Sequence, residues 1–428
     1  MGRGDELRAQ IETPPIIGTT PRLFHLLPDE LDLRDVDHLE RVLMVADALL
    51  PRAESAAALD DLEWMAASHP EQWPVAARMV VKLARSKQAL LERKGPLHLS
   101  VVVPMYGEHE RILRPADHES GEGFIDRKIR QLEWLLGDRP NSSWELILVD
   151  DGCPHGSGHI ANAWLAEHHP DAPARVLFLE EAIAEGLAPV ADLKHTDESR
   201  KGGSIHLGIW SATRERRPGH VVIYTDADLS THLGQSGLLV EALDEPGILV
   251  AAGSRRHPLS VVMKSAGRSA RGRLFIYLWK KLLPELAYID DTQCGFKAMR
   301  GGTARRLVES PLHERGFAFD IELLLRNEKT LGRCITAVPI AWIDSEAAST
   351  TTHLEPYLGM LQSVVELYRS QCPRRESSER FAAAIEALDE ASWKKAVDDL
   401  GPPLEAFDPA LDRVNTPLRP EALLEIAA

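Results

Sequence analysis

Cysteine is scarce in this sequence: Cys153, Cys294, Cys334 and Cys372 are the four among 428 residues. No two form a CxxC pair and none stands in a Cys/His cluster with zinc spacing, so nothing in the pattern demands an oxidising compartment or a structural zinc. Long apolar runs are also missing. A membrane span needs about 20 apolar residues, and the longest stretch, Leu274 to Leu286, is interrupted by Lys280 and Lys281. The first residues carry no basic segment followed by an apolar one, and Glu6 stands where a myristoylation signal has Ser or Thr; the expectation is a cytoplasmic protein. Positive charge is in deficit as well. Lys and Arg number 49 against 65 Asp and Glu, a net charge of −16. That field repels phosphodiester backbones and anionic membrane surfaces, so nucleic acid is not an expected partner. Local basic clusters remain able to hold a small anionic ligand.

What is present divides into three zones. Residues 1–95 read as a helical extension, a cap or a homodimerisation module, with apolar residues at helical spacing over Asp35 to Leu50, Glu54 to Ser68 and Trp73 to Leu91. Residues 96–350 alternate short apolar strands with helical stretches. The strands are Leu99 to Pro104, Trp144 to Asp150, Arg175 to Leu179, His220 to Thr225 and Gly247 to Ala252, with helices such as Ile125 to Leu136 and His159 to Glu167 between them. Nearly continuous hydrophobic strands separated by helices predict an α/β fold, a mostly parallel sheet covered on both faces. Residues 351–428 read as a helical C-terminal extension, with helices over Pro356 to Tyr368 and Glu376 to Asp399 and a Pro-rich tail wrapping the surface.

The polar motifs collect at strand ends, where ligands bind in sheets of this kind. The first strand ends in Pro104, Tyr106 and Glu108, and its last carbonyls are left free by the proline. The second ends in Asp150 and Asp151 before a glycine, which suits either ribose and base recognition or an Asx turn capping the next helix. Arg200-Lys201-Gly202-Gly203 opens an amphipathic stretch. It lacks Walker A spacing but offers a cation and backbone N–H groups to an anion. Asp226 and Asp228 follow the strand at 220–225 directly, placed to share one hard cation, Mg²⁺ or Mn²⁺, together with substrate phosphates. Arg255, Arg268 and Arg271 belong to a basic island suited to phosphate contacts, in an otherwise acidic chain. Asp291 in Asp-Thr-Gln-Cys-Gly-Phe-Lys and Asp320 in Phe-Ala-Phe-Asp-Ile-Glu are carboxylates flanked by apolar residues, candidates for proton acceptors. For Asp320 the alternative is helix N-terminal capping, and for Cys294 a small buried residue rather than a reactive thiol.

Taken in order over residues 97–345, these segments resemble the inverting family 2 glycosyltransferases of the GT-A fold. The likeness is strongest to the dolichyl-phosphate glucosyltransferase and dolichol-phosphate mannose synthase branch. The most specific segments are DTQCGFK at 291–297 and FAFDIELL at 317–324. The resemblance implies that Pro104, Tyr106, Glu108, Asp150, Asp151, Lys201, Gly202, Asp226 and Arg255 line a nucleotide-sugar site. It also implies that Asp226 and Asp228 hold the metal, and that Asp291 is the general base, with Asp320 as second choice. Gly107 stands in place of the family's Asn, and Arg200 in place of the first glycine of its Gly-Lys-Gly-Gly loop.

The expected activity is metal-dependent transfer of a sugar from a UDP- or GDP-sugar to a small soluble acceptor. The acceptor would be a hydroxyl, or a thiol such as ergothioneine, as in lincosamide antibiotic pathways. The alternatives are a polyprenyl-phosphate glycosyltransferase at the membrane surface, a sugar nucleotidyltransferase, and a sugar-nucleotide binding protein without activity.

Overall fold

The computed structural model describes residues 22–52, 56–263, 269–344, 355–400 and 418–428. Among the described residues, nine strands form two sheets. They are β1 (Leu97–Met105), β2 (Ser142–Asp150), β3 (Ala174–Phe178), β4 (His220–Thr225), β5 (Val250–Ser254), β6 (Val261–Met263), β7 (Phe296–Arg300), β8 (Ile335–Pro339) and β9 (Ala341–Ile343). The large sheet runs β3-β2-β1-β4-β7-β5-β8, and β6 pairs with β9 separately. Within the large sheet β7 is antiparallel to both neighbours, while the other pairings are parallel.

The strands read as unbroken apolar runs because alternate residues enter two different cores. Leu99, Val101, Val103, Val221 and Ile223 point to one face. Val102, Val222 and Tyr224 point to the other. The first face is covered by helices Val36–Leu49, Val75–Glu92, Phe124–Leu136 and Ser236–Asp244. The second is covered by helices Arg200–Ala212, Ser269–Leu282 and Phe319–Leu331 and by the C-terminal helices. A two-sided sheet needs apolar residues at every position, which is the pattern the sequence displays.

The three predicted N-terminal helices are present, with the second described over Ala56–Ser68. They belong to the same core as β1 and β4. Gly237 N–H donates to Ser86 Oγ at 2.9 Å, and Lys82 Nζ to the Pro339 carbonyl at 3.0 Å.

One expectation needs correction, and one strand was not anticipated: β7 begins at the end of the Asp-Thr-Gln-Cys-Gly-Phe-Lys motif, with Phe296 and Lys297, and runs on to Arg300. The helix predicted over Glu376 to Asp399 is two helices, Glu376–Glu386 and Glu390–Leu400. Between them Asp389 N–H donates to Ser392 Oγ and Ser392 N–H donates to Asp389 Oδ1, both at 2.8 Å. That exchange starts a new helix where the old one stops. The end of the Pro-rich tail is a helix as well, Pro420–Ala427, with Pro420 at its first turn and Leu423 buried against the neighbouring helices. Residues 401–417 lie outside the described residues.

Candidate active site

The strand order reverses between β1 and β4, since β1 leads outward to β2 and β3 while β4 returns to its other side. A crevice opens outside the carboxyl ends of strands at such a point. The loops after β1 and β4 carry Tyr106 and Glu108 on one side and Asp226 and Asp228 on the other.

Asp226 and Asp228 are both half-buried. Asp228 Oδ1 accepts from Ser230 N–H at 3.1 Å, an Asx turn that fixes its rotamer. Burial, and then the charge of Asp226, raise Asp228 above the usual carboxylate range. Asp226 goes the other way: burial pushes it up, but the Lys201 ammonium in contact with it outweighs burial and lowers it. Gly295 packs directly on Asp226, where an added Cβ would stand 2.4 Å from Oδ2. The loop from Asp291 to β7 therefore lies against the first of the two carboxylates.

Two cations behind the pair were not singled out from the sequence. Lys128, buried on helix Phe124–Leu136, donates from Nζ to the Asp228 carbonyl at 3.0 Å. Burial lowers its pKa to about 8 against the pull of Asp228 and Asp226. Its signal was a lysine on the apolar stripe formed by Ile125, Ile129 and Leu132. Arg111 lies 3.0 Å from Glu108 and 3.3 Å from Glu122. Burial raises Glu108 to about 7, opposed by Arg111 and reinforced by the charge of Asp228.

The two acids after β2 divide their roles. Asp150 accepts from the N–H groups of Gly152, Cys153 and Gly158 at 3.2, 3.3 and 2.8 Å, so it forms the Asx turn and tethers the start of helix Ser157–His168. Asp151 accepts from Ser199 Oγ at 2.9 Å and Ser204 Oγ at 2.6 Å, and burial raises it to about 7 against those bonds. Pro104 sits beside Val149 in the sheet, and Tyr106 is exposed. Gly202 does not present a free amide to an anion, because its N–H donates to the Arg315 carbonyl at 2.8 Å. It is a glycine because a Cβ would meet that carbonyl oxygen, and Phe319 Cβ, at 2.7 Å.

At the tip of β5, Arg255 is paired rather than free. Its Nε and Nη2 donate to Asp291 Oδ2 and Oδ1 at 2.7 and 2.8 Å, and its N–H donates to Oδ2 at 3.0 Å. Burial favours the neutral Asp291, yet the guanidinium holds it well below the usual carboxylate range. Asp320 is buried beneath the site and accepts from Tyr224 Oη at 2.5 Å and Lys297 Nζ at 2.6 Å. Lys297 also donates to the Cys294 carbonyl at 2.5 Å, which ties the 291–295 loop to helix Phe319–Leu331. Cys294 is buried and its thiol is pushed up to about 12, an inert packing residue. Arg268 and the side chain of Arg271 lie outside the described residues. A cleft of about 720 Å³ at the opposite, amino-terminal edge of the sheet is lined by His98, Glu145 and Arg175, and none of the motif residues reaches it.

No family model matches the chain. It is 27% identical over 286 residues to a dolichyl-phosphate β-glucosyltransferase of Drosophila melanogaster, covering 65% of this chain and 76% of that one. It is 26% identical over 290 residues to the enzyme of that name from Dictyostelium discoideum, covering 66% and 77%. The chain is a glycosyltransferase homologous to these enzymes. Its mixed, mostly parallel seven-stranded sheet flanked by helices is the α/β architecture expected from the sequence. One similar solved structure is glucosyl-3-phosphoglycerate synthase from Mycobacterium tuberculosis with Mn²⁺, uridine-diphosphate and glucosyl-3-phosphoglycerate (20% identity, TM-score 0.44, 68% of this chain and 85% of that one). Another is a mannosyltransferase from Pyrobaculum calidifontis with GDP-Man and Mn²⁺ (14% identity, TM-score 0.39, 86% and 89%). Among the described residues of this glycosyltransferase, no helix is long and apolar enough to cross a membrane.

Proposed function

We propose that this glycosyltransferase moves a sugar from a nucleoside-diphosphate donor, in a single inverting displacement, to an acceptor nucleophile that arrives already ionised. The observation that carries the acceptor class is the Arg255–Asp291 pair. Both Asp291 oxygens accept from Arg255, and a carboxylate held so far below its usual range is a poor proton acceptor near neutral pH. A phosphate or thiolate needs no proton removed. An alcohol does. Asp291 then acts as a positioning residue for Arg255.

Asp226 and Asp228 are the residues that would hold Mg²⁺ or Mn²⁺. No cluster of three His, Cys, Asp or Glu side chains that could hold a metal occurs among the described residues. Two carboxylates, with the remaining positions left to water and phosphate, fit a cation that substrate completes. When bound, that cation neutralises charge on the diphosphate leaving group. The rise at Asp228, driven first by burial and then by the charge of Asp226, supports the fit, since a divalent cation would relieve both. Asp151, at the end of β2, accepts hydrogen bonds from the base or ribose. Lys128 holds the Asp228 main chain in place.

The test is product analysis with UDP- and GDP-sugars and Mn²⁺, offered a polyprenyl phosphate in detergent, a small thiol and a small alcohol in separate reactions. Nucleoside diphosphate release coupled to transfer onto the phosphate or thiol is expected, without pyrophosphate. Pyrophosphate release would indicate a nucleotidyltransferase instead. Efficient transfer to the alcohol, with kcat/KM climbing tenfold per pH unit, would restore a general base.

A further inference from the structure

We propose that Lys201 is the built-in counter-cation of the metal carboxylates: it occupies Asp226 in the free enzyme and yields it when a divalent cation arrives with the diphosphate, to which the ammonium then turns. The inference rests on the metal reading above. Its starting point is a contact between the Lys201 ammonium and Asp226 Oδ1, the oxygen set a metal would need.

This pair differs from the ion pair beneath it. Lys297 and Asp320 are 1% and 5% exposed, and a charge stranded there has no access to water. Lys201 and Asp226 are 28% and 37% exposed. Water reaches both partners, so the pair opens at modest cost.

The base of the lysine is fixed while its end is not. Arg200, immediately before it, has φ +53°, a left-handed conformation that a non-glycine residue adopts only when its surroundings hold it there. Gly202 N–H donates to the Arg315 carbonyl at 2.8 Å, which holds that turn. The ammonium therefore swings on four methylenes from an anchored Cα, and its reach includes both Asp226 and any anion seated over it.

The other nearby cations do not compete for this role. Lys128 is buried and donates to a main-chain carbonyl, Arg111 lies between Glu108 and Glu122, and Arg255 is held by Asp291. A bare dication must displace Lys201 and leave its ammonium among positive neighbours. A dication carrying diphosphate supplies the anion that Lys201 takes in exchange. Metal and nucleotide affinities are thereby coupled, each raising the other by the same factor.

The experiment is Mn²⁺ titration of the full chain, followed by electron paramagnetic resonance of free Mn²⁺, alone and with saturating UDP or GDP. Wild type is expected to bind Mn²⁺ at least tenfold more tightly with the nucleotide. Lys201→Met keeps the aliphatic stem and removes the charge. It is expected to bind Mn²⁺ alone at least tenfold more tightly than wild type and to lose most of the nucleotide enhancement, whereas Lys201→Arg keeps the wild-type pattern. Equal or weaker Mn²⁺ binding by Lys201→Met alone, with wild-type circular dichroism, overturns the exchange while leaving the metal site intact. Absence of Mn²⁺ binding in every variant, with either nucleotide, overturns the metal reading and this one together. Asp228→Asn, losing Mn²⁺ under both conditions, separates the two cases.

Discussion

Asp291, in the loop before β7, and Asp151, just after β2, are both buried acids, and their surroundings drive them in opposite directions. Asp291 is held low by Arg255, so its stabilising contribution is complete above the ordinary carboxylate value of 3.8 and is lost only as acid reaches its lowered pKa. Asp291→Ala strands the Arg255 guanidinium. Removal of one partner from a buried pair costs about 3–5 kcal/mol, less here because Arg255 is partly exposed. A lower urea midpoint together with a lower rate is expected; loss of rate alone would point to a base. Asp151 is raised from 3.8 to about 7, so the fold favours its neutral form. Its burial penalty is absent below pH 3.8, grows between 3.8 and 7, and is constant above. Asp151→Asn should therefore gain thermal stability relative to wild type as pH rises from 5 to 8, read as the difference in Tm. Donor binding by wild type should strengthen across the same interval, and this pH dependence should vanish in the variant.

At the scale of elements, the loop between Asp291 and β7 is the piece that joins the carboxylates to the arginine. It lies against Asp226 through Gly295 and is tethered from below by Lys297. Gly295→Ala places a Cβ 2.4 Å from Asp226 Oδ2, closer than real contacts allow. Weaker Mn²⁺ and donor binding with an unchanged circular dichroism spectrum is expected, measured by calorimetry. Lys297→Met leaves Asp320 buried with Tyr224 as its remaining hydrogen-bond donor, at a cost of about 3–5 kcal/mol. A clear drop in Tm checks this. The helix Arg200–Ala212 was legible from its apolar spacing, but the purpose of Gly202 was not. Its need for a missing Cβ comes from Arg315 and Phe319, more than a hundred residues away in the chain.

At the scale of the whole molecule, the sheet is sandwiched by segments from both ends of the chain. The helix Val75–Glu92 packs on helix Ser236–Asp244 and buries Val80, Leu83 and Ala84 in the core they share, and the C-terminal helices cover the opposite face. A fragment beginning at residue 96 exposes that apolar surface. It is expected to aggregate or to bind a hydrophobic dye strongly, measured after expression beside the full chain; a soluble, cooperatively unfolding fragment would show the N-terminal helices to be an independent cap.

The sequence by itself determined what sits at each strand tip. Continuous apolar runs marked β1, β2 and β4, and the acids immediately after them had no other place to go. It also determined the two-sided cover of the sheet, because strands without polar alternation have no solvent face. It did not reveal β7, whose buried Lys297 looks like a surface residue until Asp320 is placed beside it. Only the tertiary structure decided which charge answers which. Lys201 meets Asp226 across 25 residues, Arg255 meets Asp291 across 36, and Lys297 meets Asp320 across 23. Charge pairing depends on separation and on the surrounding dielectric, and both are set by strand order and burial rather than by distance along the chain.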